Sequence, residues 1–355
     1  MTATSGLPPA ADADHLTSVL RKAGVLGARC VRHVELENPR DTILSHIVRL
    51  KLTYDGVASG APPSLFLKTA RSDRLSPAWV AGRQEVAFYA QVAPHMRVGS
   101  VPRCFDADWS AETNEWHVLL EDLTATHAAA TIWPVPPTFD QCATIVESLA
   151  RLHAKWWDDP SLGVSVGTWL DADALERRQS TFLDHFARFI GELGDRMPLE
   201  RRELYHRLLD AAPLLRQRYL SHRNVTIVHG DAHVWNCLLP RKDDGGGARF
   251  FDWDSWRIDV GSSDLAYMLA MHWYPDRRQR YERLLLDRYH EALLAEGVEG
   301  YDRRALQDDY RVSVLLRITT PVWQWANGVP TLIWWNNLER IFLAVDDLGC
   351  RELLD

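Results

Sequence analysis

The chain is poor in cysteine, and its five thiols suit no shared purpose. Cys30, Cys104, Cys142, Cys237 and Cys350 are scattered, odd in number and contain no Cys-x-x-Cys pair. That speaks against a disulfide framework or a zinc knuckle and makes a reducing cytoplasm the expected home. Positive charge is short as well: 40 Lys and Arg against 48 Asp and Glu leave a formal net charge of −8. A nucleic-acid binder working through a basic surface is therefore not expected. The most apolar stretch, 312–325, is broken by Arg317 and Pro321, and residues 1–14 lack both a basic start and an apolar core. Neither a membrane span nor a secretory leader is expected. Internal repeats and long low-complexity tracts are absent too.

What is present is enough chain for more than one core. A length of 355 residues with 46% hydrophobic content predicts two lobes. Residues 1–14 read as a loose arm before a helix near 15–23. Alternating patterns over 31–37 and 45–54 predict paired strands joined by 38–42, and 64–69 reads as a further strand-like run. After Leu123 the pattern turns mainly helical, with apolar spacing of three and four over 138–157, 172–193, 199–219 and 276–295. The expected division is 1–123 and 124–355.

One stretch carries the chemistry: His229-Gly230-Asp231-Ala232-His233-Val234-Trp235-Asn236, followed by Phe250-Phe251-Asp252-Trp253-Asp254. Residues 237–240 are apolar, 241–247 are turn chemistry with three consecutive glycines, and 248–253 are aromatic-rich, which predicts a β-hairpin. Antiparallel pairing would bring Asn236 and Asp252 to one edge, where their oxygens can hold a divalent cation. Asp231, on the loop entering that edge, can accept a proton from a substrate hydroxyl. The arrangement suits metal-assisted phosphoryl transfer.

The pattern His-x-Asp-x-x-x-x-Asn, with a later Asp in Phe-Asp-Trp-Asp, resembles the aminoglycoside phosphotransferase and choline kinase-like branch of the protein-kinase-like fold. Further landmarks follow in the same order: Lys68 in the strand-like run 64–69, Glu85 in the helical 83–89, the strand and hinge at 116–123, then 149–157 and 261–266. The resemblance implies an α+β fold with a small N-terminal lobe built on an antiparallel sheet and a larger, mainly helical C-terminal lobe. It implies a kinase moving the γ-phosphoryl group of ATP, or GTP, with Mg2+, onto a hydroxyl of a small molecule. In that reading Lys68 meets the nucleotide phosphates, Glu85 orients Lys68, Asp231 is the base, and Asn236 and Asp252 hold magnesium. Backbone groups of Glu121 and Leu123 take the adenine, Asp264 braces the catalytic loop, and His229 is structural. The hairpin 31–54 covers the phosphates but lacks the Gly-x-Gly-x-x-Gly of protein kinases. Its grip then falls to 38–44, with the hydroxyls of Thr42 or Ser45. The wording Glu121-Asp122-Leu123 and Leu152-His153-Ala154 most resembles the ecdysteroid-kinase-like subgroup.

Two other classes compete. His229, Asp231 and His233, joined by Asp252 or Asp254, could form a dinuclear metallohydrolase; that leaves Lys68, Glu85 and Asn236 without a role. A catalytically silent nucleotide-binding module is disfavoured because every expected catalytic residue type is present. Asp254 fits a metal or a capping role equally, and Asp259 reads as an exposed turn residue. Of the 15 tryptophans, Trp253, Trp256, Trp273, Trp323, Trp325, Trp334 and Trp335 follow the catalytic loop. Most should be core, and two or three could wall a pocket for a flat apolar alcohol or a cation. Asp346 and Asp347 could attract an amine, although solvated helix charges are commoner. The acceptor could be an antibiotic, a sterol-like alcohol, an amino alcohol or a sugar, and the oligomeric state is open.

Overall fold

The computed structural model describes residues 8–43, 45–71, 82–242 and 246–355. The chain divides into two compact units, one of 1–128 with 240–244 and 249–254, the other of 129–239, 245–248 and 255–355. The division falls just past Leu123, and the segment carrying Asp252 groups with the first unit rather than the second.

In the first unit α1 (Ala13–Lys22) starts where the Asp12 side chain accepts the amides of Asp14 and His15, satisfying two of the helix's orphan donors. The loose arm expected over 1–14 is corrected for its second half. Pro9–Ala11 form a 3-10 turn, and Ala10 and Ala11 join Leu16, Leu20, Leu50 and Leu52 in one buried cluster; residues 1–7 lie outside the described residues. The strands β1 (Val31–Asp41), β2 (Ser45–Tyr54) and β3 (Ser64–Ala70) precede α2 (Arg83–Gln91), and β4 (Cys104–Trp109) and β5 (Trp116–Glu121) follow it. They form one antiparallel sheet in the order β1-β2-β3-β5-β4. Residues 38–41, expected in a connection, continue β1 through a register shift between Glu37 and Arg40. Asn38 takes φ 50° there, and Pro39, which has no N–H to donate, is tolerated because β1 is an edge strand.

After β6 (His127–Ala129) come α3 (Phe139–Lys155), α4 (Ala172–Leu193) and α5 (Leu199–Leu220). α3 begins in a capping box, Thr138 accepting from the Gln141 amide while the Gln141 side chain accepts from the Thr138 amide, and it buries Ile145, Val146, Leu149 and Leu152 at helical spacing. The short strands β7 (Thr226–Val228), β8 (Cys237–Pro240), β9 (Arg249–Phe250) and β10 (Arg257–Asp259) follow. β7 pairs antiparallel with β10, and β6, β8 and β9 form a sheet in that order. The predicted hairpin is thus present but shorter than expected: β9 has two residues, and the chain leaves the ladder before Asp252, whose φ is 68°. Residues 243–245 of its turn lie outside the described residues.

The second unit ends in α6 (Ser262–Leu265), a π turn over Ala266–Ala270, α7 (Pro275–Ala295), α8 (Arg303–Leu316), α9 (Thr319–Ala326) and α10 (Thr331–Asp347). Tyr205, Tyr289, Tyr310, Phe189 and Phe342 are among its fully buried side chains. Inside that core Arg278 pairs with Glu282 at 3.1 Å and with Asp347. All five cysteines are free thiols. Among the described residues no helix is long and apolar enough to cross a membrane.

Candidate active site

The functional side chains of the first unit converge on one ammonium group. β3 buries Leu65 and Leu67 completely on one side of the alternation, which leaves Lys68 on the other. Its Nζ lies 2.6 Å from Glu85 Oε2 on α2 and 2.6 Å from Asp252 Oδ1. Burial alone would depress the lysine, yet the carboxylates of Asp252 and Glu85 outweigh it and hold the ammonium above its ordinary value. Glu85 is only 1% exposed. Burial, with Asp252 and Asp254 nearby, pushes its carboxyl up to about 7 against the pull of Lys68.

Residues 252–254 splay in alternate directions and lock this cluster. Asp252 meets Lys68, and the buried Trp253 stacks on Phe88 of α2 at 3.9 Å and 4°. Asp254 Oδ1 accepts the Gly82 amide at 2.8 Å just ahead of α2. Asp254 therefore serves the start of the helix that carries Glu85. Gly82 adopts φ 83°, and a Cβ there would lie 2.0 Å from the Trp116 ring, so the position accepts only glycine.

At the end of β5, Glu121 Oε1 accepts from the Arg103 amide at 2.8 Å and from Arg249 at 2.7 Å. The Leu123 carbonyl accepts the amides of Thr126 and His127. Thr42 and Ser45 bond each other, hydroxyl to hydroxyl at 2.8 Å, and the Ser45 amide donates to Thr42 Oγ1 at 3.0 Å. Both hydroxyls, expected to grip phosphate, are thus engaged within the turn; Leu44 lies outside the described residues.

In the second unit the loop 229–236 hangs from one buried carboxylate. Asp264 accepts the His229 amide at 2.7 Å on Oδ2 and the Gly230 amide at 2.8 Å on Oδ1. His153 Nε2 lies 3.2 Å from Oδ2, while its Nδ1 lies 2.7 Å from the Tyr289 hydroxyl. Burial should raise Asp264, but the His153 hydrogen bond and charge, with His229, prevail and bring it down to about 2. Gly230 has φ 84° and a Cβ would meet Ser255 O at 2.1 Å. At Gly261 a Cβ would meet the Tyr289 hydroxyl at 2.3 Å. Both glycines are required by close approach.

This bracing presents Asp231. Its Oδ2 accepts from Asn236 Nδ2 at 2.9 Å and lies 3.7 Å from His233 Nε2. The Tyr267 hydroxyl also bonds it, and burial first, then Asp231, raises the Tyr267 phenol well above its ordinary value. Arg317 lies over the Tyr267 ring at 4.7 Å; burial, followed by the charge of Arg257, depresses its guanidinium to about 10. Because Asn236 Nδ2 is committed to Asp231, its Oδ1 is the atom left to meet a cation. That amide oxygen is a hard donor, the chemistry magnesium selects, and so, within the first unit, are the carboxylate oxygens of Asp252.

Tyr267, Tyr289, Arg317 and the Asp254 cap were not legible in the sequence pattern. The sole available signal was the position of Tyr267, one helical turn beyond Asp264. Asp259, read as an exposed turn residue, is instead partly buried in β10 and paired with Arg257 at 2.7 Å. His229, Asp231 and His233 do not bring three ligand atoms within 4.8 Å of one another. His229 is buried, and its Nδ1 accepts the Asp231 amide at 3.3 Å. Trp253, Trp256, Trp273 and Trp334 are core, whereas Trp323 is 43% exposed. Asp346 and Asp347 are paired within the chain, to Arg351 and Arg278.

The sequence pattern of the APH phosphotransferase enzyme family matches residues 54–306. The chain belongs to this phosphotransferase family. No curated protein matches it. Among solved structures, a provisionally assigned aminoglycoside phosphotransferase from Ralstonia eutropha is 12% identical, with a TM-score of 0.57 over 96% of this chain and 99% of its own. A choline/ethanolamine kinase family protein from Mesorhizobium loti is 14% identical, with a TM-score of 0.51 over 96% and 98%. A spectinomycin phosphotransferase in complex with ADP and spectinomycin is 12% identical, with a TM-score of 0.51 over 97% of each chain. At such identities the likeness is one of fold, and the phosphotransferase has the mixed α+β, protein-kinase-like architecture.

Proposed function

We propose that this phosphotransferase is an ATP-dependent small-molecule kinase that phosphorylates a hydroxyl of its acceptor. The observation that carries the reading is the Lys68 ammonium held at 2.6 Å by both Glu85 and Asp252. A buried lysine with two carboxylates has more anionic neighbours than it needs, so nucleotide phosphates can take the place of Asp252 while Glu85 keeps the lysine in position. ATP is favoured because a similar fold is known with ADP bound.

In the proposed cycle Leu123, whose carbonyl is committed to a turn, offers its N–H to the adenine, next to the backbone of Glu121. With the hydroxyls and amides of Thr42 and Ser45 engaged within the turn, the Ile43 amide is the described donor of the β1–β2 turn left for the phosphates. Asn236 Oδ1 and Asp252 would hold magnesium, which would supply charge neutralisation at the phosphate oxygens. Asp231 accepts the proton of the acceptor hydroxyl. That oxygen forms a bond to the γ-phosphorus, the bond from phosphorus to the β,γ-bridging oxygen breaks, and ADP leaves. Asn236 and Tyr267 aim the carboxylate.

The acceptor reading is a flat, largely apolar alcohol. Trp323, Trp325 and Trp335 are not buried, and aromatic faces favour such a molecule; the Glu121-Asp122-Leu123 wording agrees with the ecdysteroid-kinase-like subgroup. The test incubates the enzyme with ATP, MgCl2 and a panel of sterol-like, polyketide, amino-alcohol, aminoglycoside and sugar substrates, with phosphorylated product detected by mass spectrometry. Product from a sterol-like or polyketide alcohol, lost in Asp231→Asn, supports the reading. Undiminished product from Asp231→Asn overturns the assigned base, and product from sugars or aminoglycosides alone overturns the acceptor class.

A further inference from the structure

On the face of the sheet opposite Lys68, which pairs with Val118 while His117 pairs with Thr69, three side chains from three elements of the first unit point at one another. His15 Nε2, in the first turn of α1, lies 2.9 Å from Asp106 Oδ2 on β4, and His117 Nε2 on β5 lies 2.8 Å from the same oxygen. The two imidazoles stand edge to face at 86°, with centroids 6.1 Å apart. Among the described residues this is the only group of three or more His, Cys, Asp or Glu whose ligand atoms all lie within 4.8 Å of one another. The side chains remain reachable, with exposures of 37% for His15, 28% for Asp106 and 18% for His117.

We infer that His15, Asp106 and His117 form a binding site for a divalent transition-metal ion of the zinc type, pinning α1 to the β4 edge of the sheet. Metal–nitrogen and metal–oxygen bonds of about 2.1 Å set neighbouring ligand atoms roughly 3 Å apart in an octahedral shell and about 3.4 Å apart in a tetrahedral one. The observed N···O separations of 2.8 and 2.9 Å lie close to these values, and the two imidazole nitrogens lie within 4.8 Å of each other. Two imidazole nitrogens select a borderline transition metal over magnesium or calcium, which take oxygen. The backbone is already arranged for the purpose. A register shift between Cys104 and Asp106 turns β4, and Asp108 stands directly opposite His117. Cross-strand neighbours share a face, so a second carboxylate is available to balance the ion's charge. The site is separate from the Lys68 cluster and binds without nucleotide.

The alternative is a purely hydrogen-bonded His-Asp-His group, which zinc titration of the full-length enzyme separates from a metal site. After EDTA treatment and desalting, calorimetry with ZnCl2 should give a saturable isotherm of one ion per chain, and MgCl2 should give none at this site. His15→Gln and His117→Gln should each weaken zinc binding at least about tenfold to hundredfold, while Asp252→Asn keeps the zinc isotherm. His15 is partly exposed on a helix, so His15→Gln folds even if His117→Gln does not. Zinc should raise the melting temperature of the wild type and leave that of His15→Gln unchanged. No saturable isotherm in the wild type, or equal affinity in His15→Gln, would overturn the site in favour of hydrogen bonding alone.

Discussion

Asp231, Asn236 and Tyr267 show how much of an active group depends on single atoms. If Asp231 takes the acceptor proton, Asp231→Asn lowers kcat by about 10²–10⁴-fold and leaves the ADP affinity measured by calorimetry nearly unchanged. Glu85→Gln removes one of the two carboxylates on Lys68. A charge-assisted hydrogen bond contributes about 1.5–3 kcal/mol, so the KM for ATP should rise roughly tenfold or more. Unaltered ATP kinetics in Glu85→Gln would show that Asp252 alone orients the lysine. Asp264 supplies the pH dependence. Its folded value, about 2, lies below the ordinary 3.8, so its contribution is fully present above pH 3.8 and is lost as the pH falls through about 2. The shift corresponds to a contribution on the order of 2 kcal/mol. Urea unfolding of the wild type should lose that much stability across this window, and Asp264→Asn should show a flatter profile.

Elements place these atoms through a few close approaches. Gly230→Ala would drive a Cβ to 2.1 Å from Ser255 O at φ 84°. It should destabilise the second unit by a few kcal/mol, visible as a lower melting temperature together with lost turnover. Thr138→Ala breaks the capping box of α3 and should cost about 1 kcal/mol. It lies far along the helix from His153, so activity at low temperature should survive. The helices were legible because amphipathic spacing and caps are local signals. α4 runs over the residues its periodicity predicts, and α3 starts at its Thr138–Gln141 pair. The continuation of β1 through Asn38 and Pro39 was not legible, because whether a proline ends a strand depends on which edge of the sheet it occupies. Nor was the shortness of β9, where Asp252 leaves the ladder to meet Lys68.

At the scale of the whole chain, belonging to a phosphotransferase family predicts a joint dependence on nucleotide and cation. Product formation should stop on EDTA treatment and return with MgCl2. Zinc bound at the site on α1 and β4–β5 should stabilise the protein without replacing magnesium in turnover. The order of landmarks from Lys68 through Glu85, Asp231, Asn236 and Asp252 to Asp264 could be read along the sequence, because each is embedded in a run of recognisable residue types. Patterning along the chain also predicted strands followed by helices, while the single antiparallel sheet was what the family resemblance implied. Tertiary structure alone decided that the Thr42 and Ser45 hydroxyls bond each other, that Asp254 accepts the Gly82 amide ahead of α2, that Tyr267 reaches Asp231, and that His15 meets Asp106 and His117. Apart from the local Thr42–Ser45 turn, those contacts join residues far apart along the chain. They arise when folding brings buried and half-buried polar groups together and each must find a partner.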